Sequence, residues 1–288
     1  MDNSSKGEWS RYYRFDESNS VPALHARFVA HRYARHAHDH FVVGLVESGA
    51  QAYWYRGLRH ITPPGRVFVV NPGEPHTGEA ATSGGYVYRT LYPNPDWLAR
   101  ISEDIGSRAR IPFLKGAVLH DPILAARLSR FHKALAEQAP RVERESLLLE
   151  AMARLVSRHA DTQVTPRPAG EERPAVRKAR EYIEANFANE LSLFTLSGMV
   201  ALSPYYFARA FENETGLPPH AYLEGVRVQK ARECLDRGET IVSTALSVGY
   251  SDQSHLTRRF KRFLGITPGQ YIRECRVGKN LHPGSMTS

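Results

Sequence analysis

The chain has 288 residues, 42% hydrophobic and 24% charged, with 38 lysines and arginines against 30 acidic residues for a net charge of +8. That apolar content supports one or two ordinary cores and excludes a disordered chain, and no run approaches the ~18–20 apolar residues that would cross a bilayer. The N-terminus has no basic start ahead of an apolar segment, so no secretory signal is visible and the expected location is the cytosol; Cys234 and Cys275 have neither disulfide-framework nor zinc-finger spacing.

In chain order, the first part carries short alternating runs punctuated by glycine and proline. Phe41–Val46, Ala50–Tyr55, Arg66–Val70 and Gly85–Tyr92 predict strands of a β domain. From Pro95 the apolar period becomes helical. Leu124, Leu128, Phe131 and Leu135 share one face and Leu148, Met152, Leu155 and Val156 another, predicting helices over 121–138 and 143–159. These close a domain spanning 1–160, packing on its β part or forming a homodimer interface. Residues 161–174 hold three prolines and a glycine and read as a linker. Almost everything over 175–276 reads as helix, and 277–288 as a tail.

Charge is uneven across this C-terminal part. Residues 240–288 carry seven basic and two acidic side chains, whereas 175–239 carry eight and nine. A surface with such a basic end attracts a polyanion.

An internal repeat organises the same region. Arg209, Phe211, Gly216, Pro219 and Tyr222 recur as Arg258, Phe260, Gly265, Pro268 and Tyr271, each displaced by 49 positions. In each copy an apolar short helix (Leu193, Leu196, Val200; Ile241, Ala245, Val248) leads through a tight turn to a second helix. Ser203 before Pro204, and Ser251 before Asp252, predict its start by capping. Phe207 with Phe211, and Leu256 with Phe260, lie four apart and should face inward; Gly216 and Gly265 should end these helices in left-handed geometry.

Short helix, turn and capped helix with a polar, cationic outer face is a helix-turn-helix, whose second helix enters the DNA major groove. Arg209 and Arg258 can donate bidentately to guanine, Gln253 can pair with adenine and Thr257 can touch a thymine methyl. Arg259, Lys261 and Arg262 suit phosphates. The connector from Pro218 to Gly238, with apolar positions at Tyr222, Val226 and Leu235, would rise roughly 30 Å, close to one DNA turn. One chain could then meet two successive major-groove segments.

The run Ser203-Pro-Tyr-Tyr-Phe-Ala-Arg-Ala-Phe, the run Gly249-Tyr-Ser-Asp-Gln-Ser-His-Leu-Thr-Arg-Arg-Phe-Lys, and Gly265-Ile-Thr-Pro-Gly-Gln-Tyr resemble the AraC/XylS family of bacterial transcription regulators. The resemblance implies a ligand-responsive, sequence-specific DNA-binding activator that works with RNA polymerase. It places base contacts on Tyr205, Ala208 and Arg209 in the first unit and on Gln253, Ser254, Thr257 and Arg258 in the second; Ser203, Lys261 and Arg262 complete the expected DNA-binding set. Ala208 cannot hydrogen-bond a base, so the first helix should read fewer.

In the N-terminal domain, His31, His36, His38 and His40 precede Phe41, and His76 closes Pro72-Gly73-Glu74-Pro75-His76. Together these resemble the two motifs of a small cupin barrel, the sensor that this family often carries. A metal-binding cupin has a glutamate four or five positions after its second histidine. Here those positions are Val42 and Val43 counted from His38, or Gly44 and Leu45 from His40, and Glu47 is too far along. The expectation is therefore a sensor with no metal, no cofactor and no catalytic residue. Its small-molecule effector would be lined by His38, Tyr53, Tyr55, His76, Tyr86 and Tyr88. The competing reading is a metal-dependent cupin enzyme with a helical appendage. The fold class expected is α+β: a cupin-like β-barrel with packing helices, then an all-α domain of two helix-turn-helix units.

Overall fold

A computed structural model describes residues 7–15, 21–106, 111–161 and 173–279. The chain divides into two units, Met1–Ala139 with Arg144–Ala169, and Pro140–Glu143 with Gly170–Ser288. In the first, period-two alternation produces strands with one apolar face. They are β1 (Trp9–Phe15), β2 (Val21–Phe28), β3 (Tyr33–His36), β4 (Val42–Gly49), β5 (Gln51–Tyr55), β6 (Leu58–Thr62), β7 (Val67–Val70), β8 (His76–Ala80), β9 (Tyr86–Leu91) and β10 (Val118–Leu119).

These strands form a six-stranded sheet ordered β1-β2-β9-β4-β7-β10 and a four-stranded sheet ordered β3-β8-β5-β6. Leu24, Ala26, Val42, Val46, Phe68, Val70, Tyr86 and Tyr88 from the larger sheet share one core with Tyr53 and Tyr55 from the smaller. The arrangement is thus a sandwich of two open sheets rather than the closed barrel expected. Among the described residues no strand pairing joins the two sheets, whose edges are β1 and β10 in the larger and β3 and β6 in the smaller. Position 44 must be glycine because a Cβ there would lie 2.0 Å from the Phe68 ring that crosses it. The strands expected from the alternation became β4, β5, β7 and β9; β1, β2, β3, β6, β8 and β10 are additional.

Three helices accompany the sheets: α1 (Pro95–Asp104), α2 (Pro122–Ala136) and α3 (Arg141–His159). Asp121 caps α2 by accepting the Leu124 N–H at 3.0 Å and ties it to α3 through Arg154 and His159, each at 2.9 Å. Leu124, Leu128, Phe131, Leu135, Leu148, Met152, Leu155 and Val156 are all buried within the chain itself. The two faces offered as a dimer interface are therefore spent on the core, which corrects that expectation.

The second unit is helical: α4 (Arg173–Ala185), α5 (Leu193–Met199), α6 (Pro204–Thr215), α7 (Pro219–Asp236), α8 (Ile241–Ser247), α9 (Gln253–Leu264) and α10 (Pro268–Lys279). Helix α4 already begins at Arg173, so the end of the expected linker is helical; residues 162–172 and the tail from 280 lie outside the described residues. On α7 the buried face is Leu223, Arg227, Val228, Ala231, Cys234 and Leu235, so of the three expected positions only Leu235 is fully buried. Arg227 is accepted into this core because its guanidinium donates to the carbonyls of Phe187 (2.7 Å) and Asn189 (2.9 Å).

Candidate nucleic-acid interface and sensor cavity

The repeat has a structural cause at most of its positions. Phe211 meets Tyr222 edge-on with ring centroids 5.5 Å apart, and Phe260 meets Tyr271 the same way at 5.7 Å. Gly216 and Gly265 are both left-handed, and each closes its helix by donating 2.8 Å to the carbonyl four residues back, of Glu212 and Lys261. Pro219 and Pro268 stand at the first positions of α7 and α10. Both arginines stand on the side of their helix away from the buried phenylalanines, and the Arg209 guanidinium lies 5.7 Å from the Tyr205 ring.

The two starts differ. Ser203 caps α6 by accepting the Tyr206 N–H at 3.3 Å, which occupies one lone pair of its hydroxyl. In the second unit Asp252, not Ser251, is the cap, accepting the His255 N–H at 2.8 Å. The turn before α9 also holds one residue more than the turn before α6. The 49-residue offset accordingly becomes 48 upstream of it, where Ala201 and Gly249 take the left-handed position with φ of 55° and 83°.

Phe207, Ala210 and Phe211 bury one side of α6, and Leu256 and Phe260 one side of α9. Tyr205, Ala208 and Arg209 are half-buried on the opposite side of α6. On α9, Gln253, Ser254, Arg258, Lys261 and Arg262 are exposed and Thr257 is half-buried. Arg259, expected to meet phosphates, pairs instead with Glu143 at 3.0 Å and is only 6% exposed. Helix α9 carries four cations and no acid, whereas α6 carries Arg209 with Glu212 and Glu214. The repeat puts Glu212 where α9 has Lys261, so the two surfaces differ sharply in charge.

In the sandwich, a cavity of about 80 Å³ is lined by Tyr33, His36, His38, Gln51, Tyr53, His76, Tyr88, Thr90 and Tyr92 among others. Of the expected ligand residues, His38, His76, Tyr53 and Tyr88 meet here. Tyr55 and Tyr86 do not: Asn71 donates to the Tyr55 hydroxyl, which in turn donates to Glu74, and Tyr86 packs against Tyr88 with ring centroids 5.0 Å apart. Period two put Tyr86 and Tyr88 on one face, but that face is longer than the cavity.

Strand pairing sets His36 directly opposite His76. Ligand atoms of His36, His38 and His76 lie within 4.8 Å of one another. His31 instead packs on Phe28 and Tyr33, and His40 stacks on His38 at 4.0 Å. Burial pushes His76 down to about 4 and lowers His38, so both are neutral at pH 7. Burial raises the phenols of Tyr33, Tyr53, Tyr88 and Tyr92, which therefore stay protonated. Tyr33, Gln51, Thr90 and Tyr92 were missed in the sequence because they come from β3, β5 and β9 or its end, with no motif among them.

Residues 20–152 match the family model described as an AraC-like ligand binding domain, and residues 196–274 match a helix-turn-helix domain. The Bacillus subtilis (strain 168) uncharacterized HTH-type transcriptional regulator YbfI is 27% identical over 86% of this chain and 90% of its own. The HTH-type transcriptional activator RhaS of Pectobacterium carotovorum subsp. carotovorum (strain PC1) is 25% identical over 82% of this chain and 86% of its own.

Proposed function

The chain belongs to the AraC/XylS family and is a ligand-responsive, DNA-binding transcription regulator; within that family we propose an activator that reads DNA mainly through α9. In this reading Arg258, Gln253, Ser254 and Thr257 contact bases and Lys261 and Arg262 contact phosphates. Arg209 and Tyr205 on α6 add a smaller second set beside Ala208. The observation that carries it is the repeat itself: packing accounts for the duplicated Phe, Gly, Pro and Tyr, while the duplicated arginines stay on outward faces.

The histidine–tyrosine cavity takes a small effector, whose binding shifts the population competent for DNA. RNA polymerase is the partner at the promoter, and the protein works in the cytosol. No helix among the described residues is long and apolar enough to cross a membrane.

The test is selection of genomic fragments by the full chain, followed by titration of the recovered duplexes at several salt concentrations. Recovery of a shared sequence with two conserved segments about one helical turn apart, bound with a steep negative salt slope, is the expected outcome. Indiscriminate recovery of fragments would overturn it.

A further inference from the structure

Three imidazoles at one cavity wall share a feature that packing alone does not require. The Nδ1 of His36 bonds the carbonyl of Ala34 at 2.8 Å, that of His38 the carbonyl of His40 at 2.9 Å, and that of His76 the carbonyl of Glu74 at 3.1 Å. A carbonyl only accepts, so each Nδ1 carries a proton and Nε2 is the nitrogen left to act as a metal ligand. Backbone carbonyls that fix the tautomer and ring orientation in this way are the usual outer partners of metal-bound histidines.

We propose that His36, His38 and His76 bind a first-row divalent transition metal ion, with Zn²⁺ the best fit, leaving an open coordination position toward the cavity. Three neutral nitrogen donors select zinc and its neighbours over magnesium or calcium, which take oxygen. A tetrahedral ion with bonds of about 2.0–2.1 Å needs nitrogens roughly 3.3 Å apart. Ligand atoms within 4.8 Å of one another must close by up to about 1.5 Å to reach that spacing, and His36, at the exposed end of β3, has room to move.

The site differs from the carboxylate-bearing pattern sought in the sequence. With no acid in the lining, the ion keeps its full double charge and its open position favours an anionic ligand. The role of the ion deepens the reading of this cavity as the effector site and rests on it; the binding of the ion does not.

The experiment loads the full chain with Co²⁺ as a coloured substitute for Zn²⁺ and, on the same samples, measures metal content, visible absorption and salt-dependent DNA affinity. One equivalent per chain, an intense four-coordinate visible band and a change in that band on adding azide are expected. His36→Ala and His38→Ala should each weaken Co²⁺ binding more than about 10-fold. His31→Ala, which removes a histidine outside the triad, should not change it. Because His36 is exposed, its replacement leaves the core intact, and unchanged circular dichroism verifies this. Binding unaffected by His36→Ala and His38→Ala, or equally weakened by His31→Ala, would overturn the site. A loaded band indifferent to azide would overturn the open position. DNA affinity that persists while Co²⁺ fails to bind discards the metal alone, and lost DNA affinity with Co²⁺ retained discards the regulator reading alone.

Discussion

At single residues, the proposed reading divides the outward face of α9 between two jobs by reach and chemistry. Arg258 has a forked guanidinium of the kind that matches guanine, whereas Lys261, one turn further along, is a point charge suited to phosphate. Arg258→Ala should cost about 1–3 kcal/mol of specific binding and relax preference at one base pair. Lys261→Ala should weaken all duplexes alike and lessen the salt slope by about 1. Anisotropy titrations on matched and single-mismatch duplexes tell these apart; identical effects on every sequence would reject the division. Glu212 occupies the matching place on α6, and Glu212→Lys should therefore steepen the salt slope by roughly 1–2 without creating a new base preference. A slope that stays put would show that this end of α6 lies away from the phosphates.

Among the elements, the second helix-turn-helix is the more constrained because its turn presses against the backbone. A Cβ at Gly249 would lie 2.5 Å from the Ala188 carbonyl oxygen and 2.9 Å from the Arg227 guanidinium. Ala201 takes the same left-handed conformation in the first copy, so the cost at 249 comes chiefly from close approach rather than from φ alone. Gly249→Ala should lower stability by about 1–3 kcal/mol in urea unfolding, and a loss under 0.5 kcal/mol would refute the close approach. In the first unit, Leu128→Asp would place a carboxylate in the core beneath α2, so unfolding is expected rather than a change of oligomeric state. Sedimentation paired with circular dichroism checks this: a well-folded variant of altered mass would restore the interface reading of that helix. Helix boundaries were largely legible because caps and period are local, as at Ser203 and Gly265. The cap at Asp252 was not, since Ser251 offers the same chemistry one residue earlier and only backbone geometry decides between them.

For the molecule as a whole, acid stability follows from histidines held neutral. Burial pushes His132 in the first unit down to about 3 and His255 in the second down to about 4, both from an ordinary 6.5. Their folded values are depressed, so stability is complete above about pH 6.5. Below that the unfolded chain takes protons the folded one refuses, and stability falls until pH nears 3–4, by at most ~1.4 kcal/mol per pH unit per group. Unfolding midpoints measured between pH 7 and 5 should show this decline, and His132→Leu should flatten it for the first unit; a decline unchanged in that variant would assign it elsewhere. Two-part organisation, the duplicated helix-turn-helix and its arginines were determined by the sequence alone, because caps, helical period and repeat spacing act over a few neighbouring residues. Only the tertiary structure decided that the sheets stay open, that Arg259 is taken up by an ion pair with Glu143, that the α2 and α3 faces are consumed by the core, and that three histidines converge. Each of these depends on which distant strands pair and which side chains then compete for the same buried space, and no local pattern records that.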